Sequence, residues 1–240
     1  YKRQDYELAI VISIPFRMSI RYGETVKRNS SLGFNMETLE YYYALASPWS
    51  FIGNLKLIEI AAAHNLTIDP IIIDYDEMFR AADTIPLPQR PILRKKYRLI
   101  DLKRWADFRN VEFNVEPEFY EGEVEEPNER EGACMVVAAK EAGLDSLRLA
   151  HAISRALWAE ERFPFTKEEL VQIANTEGFD GDGLWEKTKD ESIVLAYQAN
   201  TQKSIERGVF GMPFYIVRDQ PYWGQDRLEL LEHQLNFDSL

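Results

Sequence analysis

Tyr41-Tyr42-Tyr43-Ala44-Leu45-Ala46-Ser47-Pro48-Trp49-Ser50 is the stretch that decides the fold. A β-rich run ends at a small residue, and a serine then precedes a proline and an amphipathic pattern. Serine at the N-cap with proline at the first helical position marks a helix start. It leaves a hydroxyl beside unpaired backbone N–H groups at the positive end of a helix dipole. Such a site favours a bound anion, including a thiolate.

Outward from that point the pattern is regular. Leu39–Leu45 is aromatic-rich and predicts a buried strand. Phe51, Leu55, Ile58 and Ala62 predict one buried helix face, with the helix ending near His64-Asn65. Thr67–Ile73 is β-branched, and Pro70 marks a strand start or an edge position. Strand, helix, strand with a right-handed crossover makes the two strands parallel.

The far end of the chain returns to the same alternation. Ser192–Arg207 predicts a helix stopped by Gly208, followed by a short strand Phe214–Val217, a turn around Asp219-Gln220-Pro221 and a brief strand at Tyr222-Trp223. Gly224-Gln225-Asp226-Arg227 opens a last helix with Leu228, Leu231 and Leu235 on one face.

Between these units the pattern is helical. Asp74–Ala82 is a loop or short helix that leads into the proline-rich Ile85–Pro91, and Leu93–Phe108 is a long basic amphipathic helix. Val115–Glu131 is a strongly acidic loop, read as solvated surface. Helices follow at Gly132–Glu141, Ser146–Arg162, Lys167 to about Asn175, and Leu184–Lys189. Thr166 and Glu169 fit a capping box at the third of these.

Composition limits the function. At 240 residues with 45% hydrophobic content the chain can bury one large core. A net charge of −12 argues against nucleic acid as the partner. Cys134 is the one cysteine, so no intramolecular disulfide, CxxC motif or cysteine-based metal site is expected. His64, His151 and His233 show no metal-ligand spacing and are taken as structural. No apolar run reaches the roughly 20 residues of a membrane span. These features fit a reducing, cytoplasmic setting.

Residues 1–35 differ from the rest. Lys2, Arg3, Arg17, Arg21, Lys27 and Arg28 stand against Asp5, Glu7 and Glu24, a net charge of about +3. A targeting peptide, a non-native extension and an edge strand are all open for this segment, so organellar import is not excluded. It is set outside the fold, which is expected from Met36 onward.

A βαβ unit and a ββα unit separated by helices predict an α/β fold: a thioredoxin-like domain at 36–77 and 192–240 with an inserted all-helical domain at 78–191. Pro213, before a strand and opposite the first helix, is expected to be cis.

From Met36 to the C-terminus the chain resembles the 2-hydroxychromene-2-carboxylate isomerase family, relatives of kappa-class glutathione transferases and DsbA-like oxidoreductases. The resemblance rests on Tyr43–Ser50, Leu99-Ile100-Asp101-Leu102-Lys103-Arg104-Trp105, Glu206–Pro213 and Trp223-Gly224-Gln225-Asp226-Arg227-Leu228. Each piece alone is weak, and their order and spacing together are specific.

The resemblance implies glutathione as cofactor and a small-molecule substrate, with Ser47 in the place of a reactive cysteine. Serine cannot form a mixed disulfide, which excludes thiol–disulfide exchange there. Its hydroxyl can donate to a thiolate and lower the thiol pKa of bound glutathione. By the same resemblance the backbone of Met212, before Pro213, pairs with the glutathione main chain. Gln225, Asp226 and Arg227 meet its γ-glutamyl end, Asp226 on the ammonium and Arg227 on a carboxylate or on Asp226 itself. Gln89-Arg90 corresponds to an Asn-Arg pair near the ligand, so Gln89 is a candidate contact that keeps only the amide chemistry. Arg90, Tyr97 and Arg98 are candidates for an anionic substrate, and Arg104-Trp105 is assigned to packing.

The implied reaction is a cis–trans isomerisation without net redox change, through reversible addition of a thiolate held by Ser47. A kappa-like transferase or peroxidase and, from another class, a non-catalytic thioredoxin-like binding protein are the alternatives. Dimers are common in such families.

Overall fold

The computed structural model describes residues 37–117 and 128–237. The expectations for residues 1–35 fall outside the described residues, as does most of the acidic loop.

The sheet has the order β2-β1-β3-β4. Strand β1 is Thr38–Tyr43, helix α1 Pro48–Ala63 and strand β2 Thr67–Ile72, with β1 and β2 parallel. Strand β3, Phe214–Val217, runs antiparallel to β1 and places Tyr215 opposite Tyr41; β4, Gln220–Trp223, is antiparallel to β3. Both edge strands contain a proline, Pro70 in β2 and Pro221 in β4. A missing N–H there costs no ladder bond and blunts the edge against pairing. The turn lies earlier than expected, at Arg218-Asp219, where φ is 51° and 58°. Positive φ at both central residues is what a tight two-residue hairpin requires. Pro221 drew the sequence reading toward itself, yet it belongs to the strand.

Side-chain alternation gives the sheet two packed faces. Tyr41, Tyr43 and Tyr215 stack on one, with ring centroids 4.8 and 5.3 Å apart. Tyr42, Ile71, Phe214 and Ile216 form the other, against Met78 of α2 (Tyr75–Ala81).

After a 3-10 turn at Leu87–Gln89 come α3 (Ile92–Arg109), α4 (Arg130–Glu141) and α5 (Ser146–Trp158). These are followed by α6 (Lys167–Thr176), α7 (Gly181–Lys187) and α8 (Glu191–Glu206). A 3-10 turn Gln225–Arg227 leads into α9, Leu228–Phe237. Helices α4 to α7 do not form a separate core: Ala133, Met135, Leu149 and Ile153 join the cluster that contains Tyr41, Tyr43 and Leu57.

The buried face of α1 differs from the one expected. Phe51 is buried and Ile58 packs against the core as expected, but Leu55 and Ala62 are exposed, while Gly53, Asn54, Leu57, Ile60 and Ala61 are buried. The close contacts are made by small residues: a Cβ on Gly53 would stand 2.7 Å from the Cβ of Gln225. Apolar periodicity cannot register a face that a glycine and an asparagine occupy. On α9, by contrast, Leu228, Leu231 and Leu235 are buried as the spacing predicts. At α6 the Thr166 hydroxyl accepts from the Glu169 N–H at 3.3 Å, while the Glu169 carboxylate accepts from Arg162 rather than reaching back to the cap. Among the described residues, no helix is long and apolar enough to cross a membrane.

Candidate functional site

Ser47 is the N-cap of α1, with extended backbone and Pro48 at the first helical position. Its Oγ accepts from the N–H of Ser50 at 3.3 Å, and its carbonyl accepts from Phe51 at 3.1 Å. Proline has no N–H and Ser50 is capped, so the Trp49 amide is left facing out of the helix end. The hydroxyl has used an acceptor lone pair and keeps its proton to donate. A donor proton, a free amide and the positive helix end meet at the rim of a cavity of about 900 Å³ that Ser47, Pro48 and Trp49 line.

Three distant segments close around that helix end. The Met212–Pro213 peptide is cis, as expected, and Met212 lines the cavity with Pro213 just behind it. Among the described residues, Met212 makes no backbone hydrogen bond outside the helices and strands, so its peptide groups are open to an extended ligand. The Gly224 N–H donates to the Pro213 carbonyl at 2.9 Å, which ties the cis-proline loop to the start of the last helix. Gly224 has φ 96°, and a side chain there would collide with the Asp226 carboxylate.

Asp226 and Arg227 both line the cavity and pair with each other at 2.5 Å, with Arg227 Nη1 donating to Asp226 Oδ2. Gln225 lines it too, but its side chain is committed elsewhere. Arg109, at the end of α3, donates from Nε to Gln225 Oε1 at 2.5 Å and from Nη2 to the Gln225 carbonyl at 2.7 Å. Arg109 also pairs with Glu229 at 2.9 Å. The contribution of Gln225 is therefore to hold the loop, and no local pattern points to its partner, 116 positions away.

The opposite wall comes from the proline-rich segment and α3. Arg90, Lys95 and Arg98 line it, joined by Trp105. Arg90 donates to the Ile85 carbonyl at 2.9 Å, which fixes its stem. Burial, and then the neighbouring Arg94, push its guanidinium below the ordinary value. Gln89 and Tyr97 are exposed and are not among the lining residues; Tyr97 donates to Asp101 at 3.3 Å. Tyr97 lies one position before Arg98, and on a helix adjacent residues point about 100° apart. Trp105, assigned to packing, packs beside Ile52 and also lines the cavity.

Glu129 was hidden within the acidic run. It is buried, and its Oε2 accepts from the N–H of Ala46, the residue before Ser47, at 2.6 Å. Cys134 is buried in α4, and burial pushes its thiol up. His151 stacks on Phe51, accepts from Asn54 Nδ2 at 3.2 Å, and is held down to about 4 by burial and then by Arg155.

A family model described as a DSBA-like thioredoxin domain matches residues 38–236. A 2-hydroxychromene-2-carboxylate isomerase of Sphingobium xenophagum is 28% identical over 201 residues, covering 83% of this chain and 98% of that protein. Glutathione S-transferase kappa 1 of Caenorhabditis elegans is 23% identical over 203 residues, covering 80% and 88%. A solved 2-hydroxychromene-2-carboxylate isomerase aligns with a TM-score of 0.71 at 24% identity, covering 83% of this chain and 94% of that one. The cytosolic disulfide reductase DsbM of Pseudomonas aeruginosa, solved with glutathione, aligns at 0.58 and 17%, covering 83% and 99%. These two structures speak for the fold; the named relatives support an enzyme of the isomerase or transferase kind. With the family model matched over residues 38–236, the chain belongs to the DSBA-like thioredoxin domain family.

Proposed function

We propose that the protein is a glutathione-dependent isomerase acting on an anionic intermediate of aromatic catabolism such as 2-hydroxychromene-2-carboxylate. The observation that carries this reading is a serine hydroxyl, at the N-terminus of a 16-residue helix, facing a cavity whose opposite wall carries Arg90, Lys95 and Arg98. The residues present fit glutathione. Ser47 and the Trp49 amide offer two donors to a sulfur anion. The open Met212 peptide suits an extended tripeptide backbone. Asp226, oriented by Arg227, suits an ammonium.

When bound, glutathione supplies a thiolate that adds reversibly to a conjugated carbon, and its expulsion after bond rotation returns the cofactor unchanged. The protein's part is to hold and orient. Ser47 donates its hydrogen bond to the anionic form of the thiol and so lowers the thiol pKa. Arg90 and Arg98, with Lys95, hold the substrate carboxylate, and Trp49 and Trp105 offer flat faces to its ring. Serine in place of cysteine keeps the thiol from being captured as a disulfide. Gln89 and Tyr97 take no part.

The test is direct. Millimolar glutathione should raise the thermal midpoint, since a ligand specific for the folded state stabilises by mass action. Glutathione-dependent turnover of 2-hydroxychromene-2-carboxylate should then be lost in S47A. No thermal shift would overturn every glutathione-based reading and leave a non-catalytic binding protein. A kappa-like transferase shares each glutathione contact, and the cavity of about 900 Å³ admits a second molecule beside the tripeptide in either reading. Conjugation of glutathione to an activated aryl halide without isomerisation would select it.

A further inference from the structure

Glu129 immediately precedes α4 and is only 4% exposed, unlike the solvated surface expected of its segment. One carboxylate oxygen accepts from the Ala46 N–H at 2.6 Å, and the Leu45 amide also bonds to this carboxyl. The other oxygen, Oε1, is buried without a hydrogen-bond partner. The charge of Glu129 is felt by Tyr43 on β1 and Tyr197 on α8, and Glu129 feels in turn the charges of Asp74, the cap of α2, and Asp76 in its first turn. Arg130 and Glu131 follow it on its own helix. Burial first, and then the two aspartates, push the carboxyl up to about 8, against the two amide bonds that favour its charged form. A buried carboxylate with a bare oxygen and negative neighbours is costly, and the group avoids the cost by keeping its proton.

We propose that Glu129 is a positioning residue, which pins the Ala46–Ser47 turn through its carboxyl and, as the uncharged acid, keeps negative charge away from the place where Ser47 holds an anionic sulfur. The role rests on the glutathione reading given above. Pinning holds the Leu45–Ala46 peptide, to which the Ala46 N–H belongs, and so steadies the backbone one residue before the one that carries the Ser47 hydroxyl. Neutrality matters because a second negative charge close to a thiolate disfavours the thiolate.

The experiment uses the full chain and the variants Glu129→Gln and Glu129→Ala. Two quantities are read: the ligand-free thermal midpoint from pH 4 to 9, and the glutathione Kd by calorimetry from pH 6.5 to 9. The folded protein holds a proton that the unfolded chain releases, so the stabilising effect of the neutral acid is complete below about pH 4.5 and is lost as pH rises through about 8. The wild-type midpoint should therefore fall across that window relative to E129Q. The Kd ratio of wild type to E129Q should climb about fivefold between pH 7 and 9 for one pKa unit of coupling. Free glutathione titrates identically in both, so the ratio isolates Glu129. E129A should bind glutathione more weakly than E129Q at pH 7, since glutamine still accepts from Ala46. A ratio that does not change with pH, or E129A binding as well as wild type, overturns the role of Glu129 alone. Glutathione binding to none of the three proteins overturns the glutathione reading and the sulfur-facing role with it.

Discussion

Arg109 reaches across the fold to hold Gln225 by two hydrogen bonds, at 2.5 Å to the side-chain oxygen and 2.7 Å to the carbonyl. The contact joins the end of α3 to the start of the last helix, where Asp226 and Arg227 meet the cavity. Its guanidinium, only 5% exposed, also covers the Trp105 ring at 5.2 Å from the centroid. Arg109→Ala should destabilise the fold by about 2–4 kcal/mol, because it leaves a buried amide and carbonyl without their donor. It should also weaken glutathione binding. Arg109→Lys should recover only part of either, since an ammonium cannot make the forked contact. Urea unfolding and calorimetry would measure both effects.

Ser47→Ala separates the cap from the chemistry. Loss of the N-cap hydrogen bond should cost about 1 kcal/mol, a fall in Tm of about 2–4 °C for a domain of this size. Turnover should fall about 100-fold or more, the usual scale when one preorganised donor to a developing anion is removed. A matched fall in stability with turnover unchanged would show that the hydroxyl is a cap and nothing else.

Substitutions on the opposite wall should divide the candidates there. Arg90→Ala and Arg98→Ala should each raise KM for the anionic substrate about tenfold, the loss of one charge-assisted contact, while leaving the glutathione Kd near wild type. Tyr97→Phe should change neither, because the Tyr97 side chain is exposed, does not line the cavity and has its hydroxyl engaged by Asp101. Steady-state kinetics with each reactant varied in turn makes the distinction.

Gly224→Ala should act on binding. The position has φ 96°, and the new methyl would displace the Asp226 carboxylate. The variant should lose about 1–3 kcal/mol of stability and bind glutathione more weakly than wild type. Gly178→Ala, at φ 80° but with open space around its Cβ, is the control: it should lose stability and keep its affinity.

His151 predicts an acid limit. It is largely covered by its neighbours and held neutral, with its folded pKa near 4 against an ordinary 6.5. The unfolded chain takes up a proton first, so the stabilising effect is complete above about pH 6.5 and is lost as pH falls through about 4. The total is on the order of 3 kcal/mol at about 1.4 kcal/mol per unit. The difference in unfolding free energy between wild type and His151→Gln, measured from pH 7.5 to 4, should shrink by that order over the lower part of the range.

The sequence by itself determined the local and repeating features. The Ser47-Pro48 helix start, the parallel β1 and β2, the strand Phe214–Val217, the stop at Gly208 and the apolar face of α9 are all legible, because caps, turns and periodicity are short-range chemistry. The positions that line the cavity were legible in part, through Ser47, Met212, Asp226 and Arg227 on one side and Arg90 and Arg98 on the other. Tertiary structure alone decided the rest. Gly53 and Asn54 are buried on α1 because the start of the last helix presses close to Gly53 and His151 of α5 pairs with Asn54, contacts that hydrophobic spacing does not register. Gln225 serves Arg109, and Glu129 leaves an acidic run to reach the amide before Ser47. Those pairs lie 116 and 83 positions apart in sequence. What joins them is the burial of polar groups that must find a partner inside the fold, and only the packed chain brings such partners together.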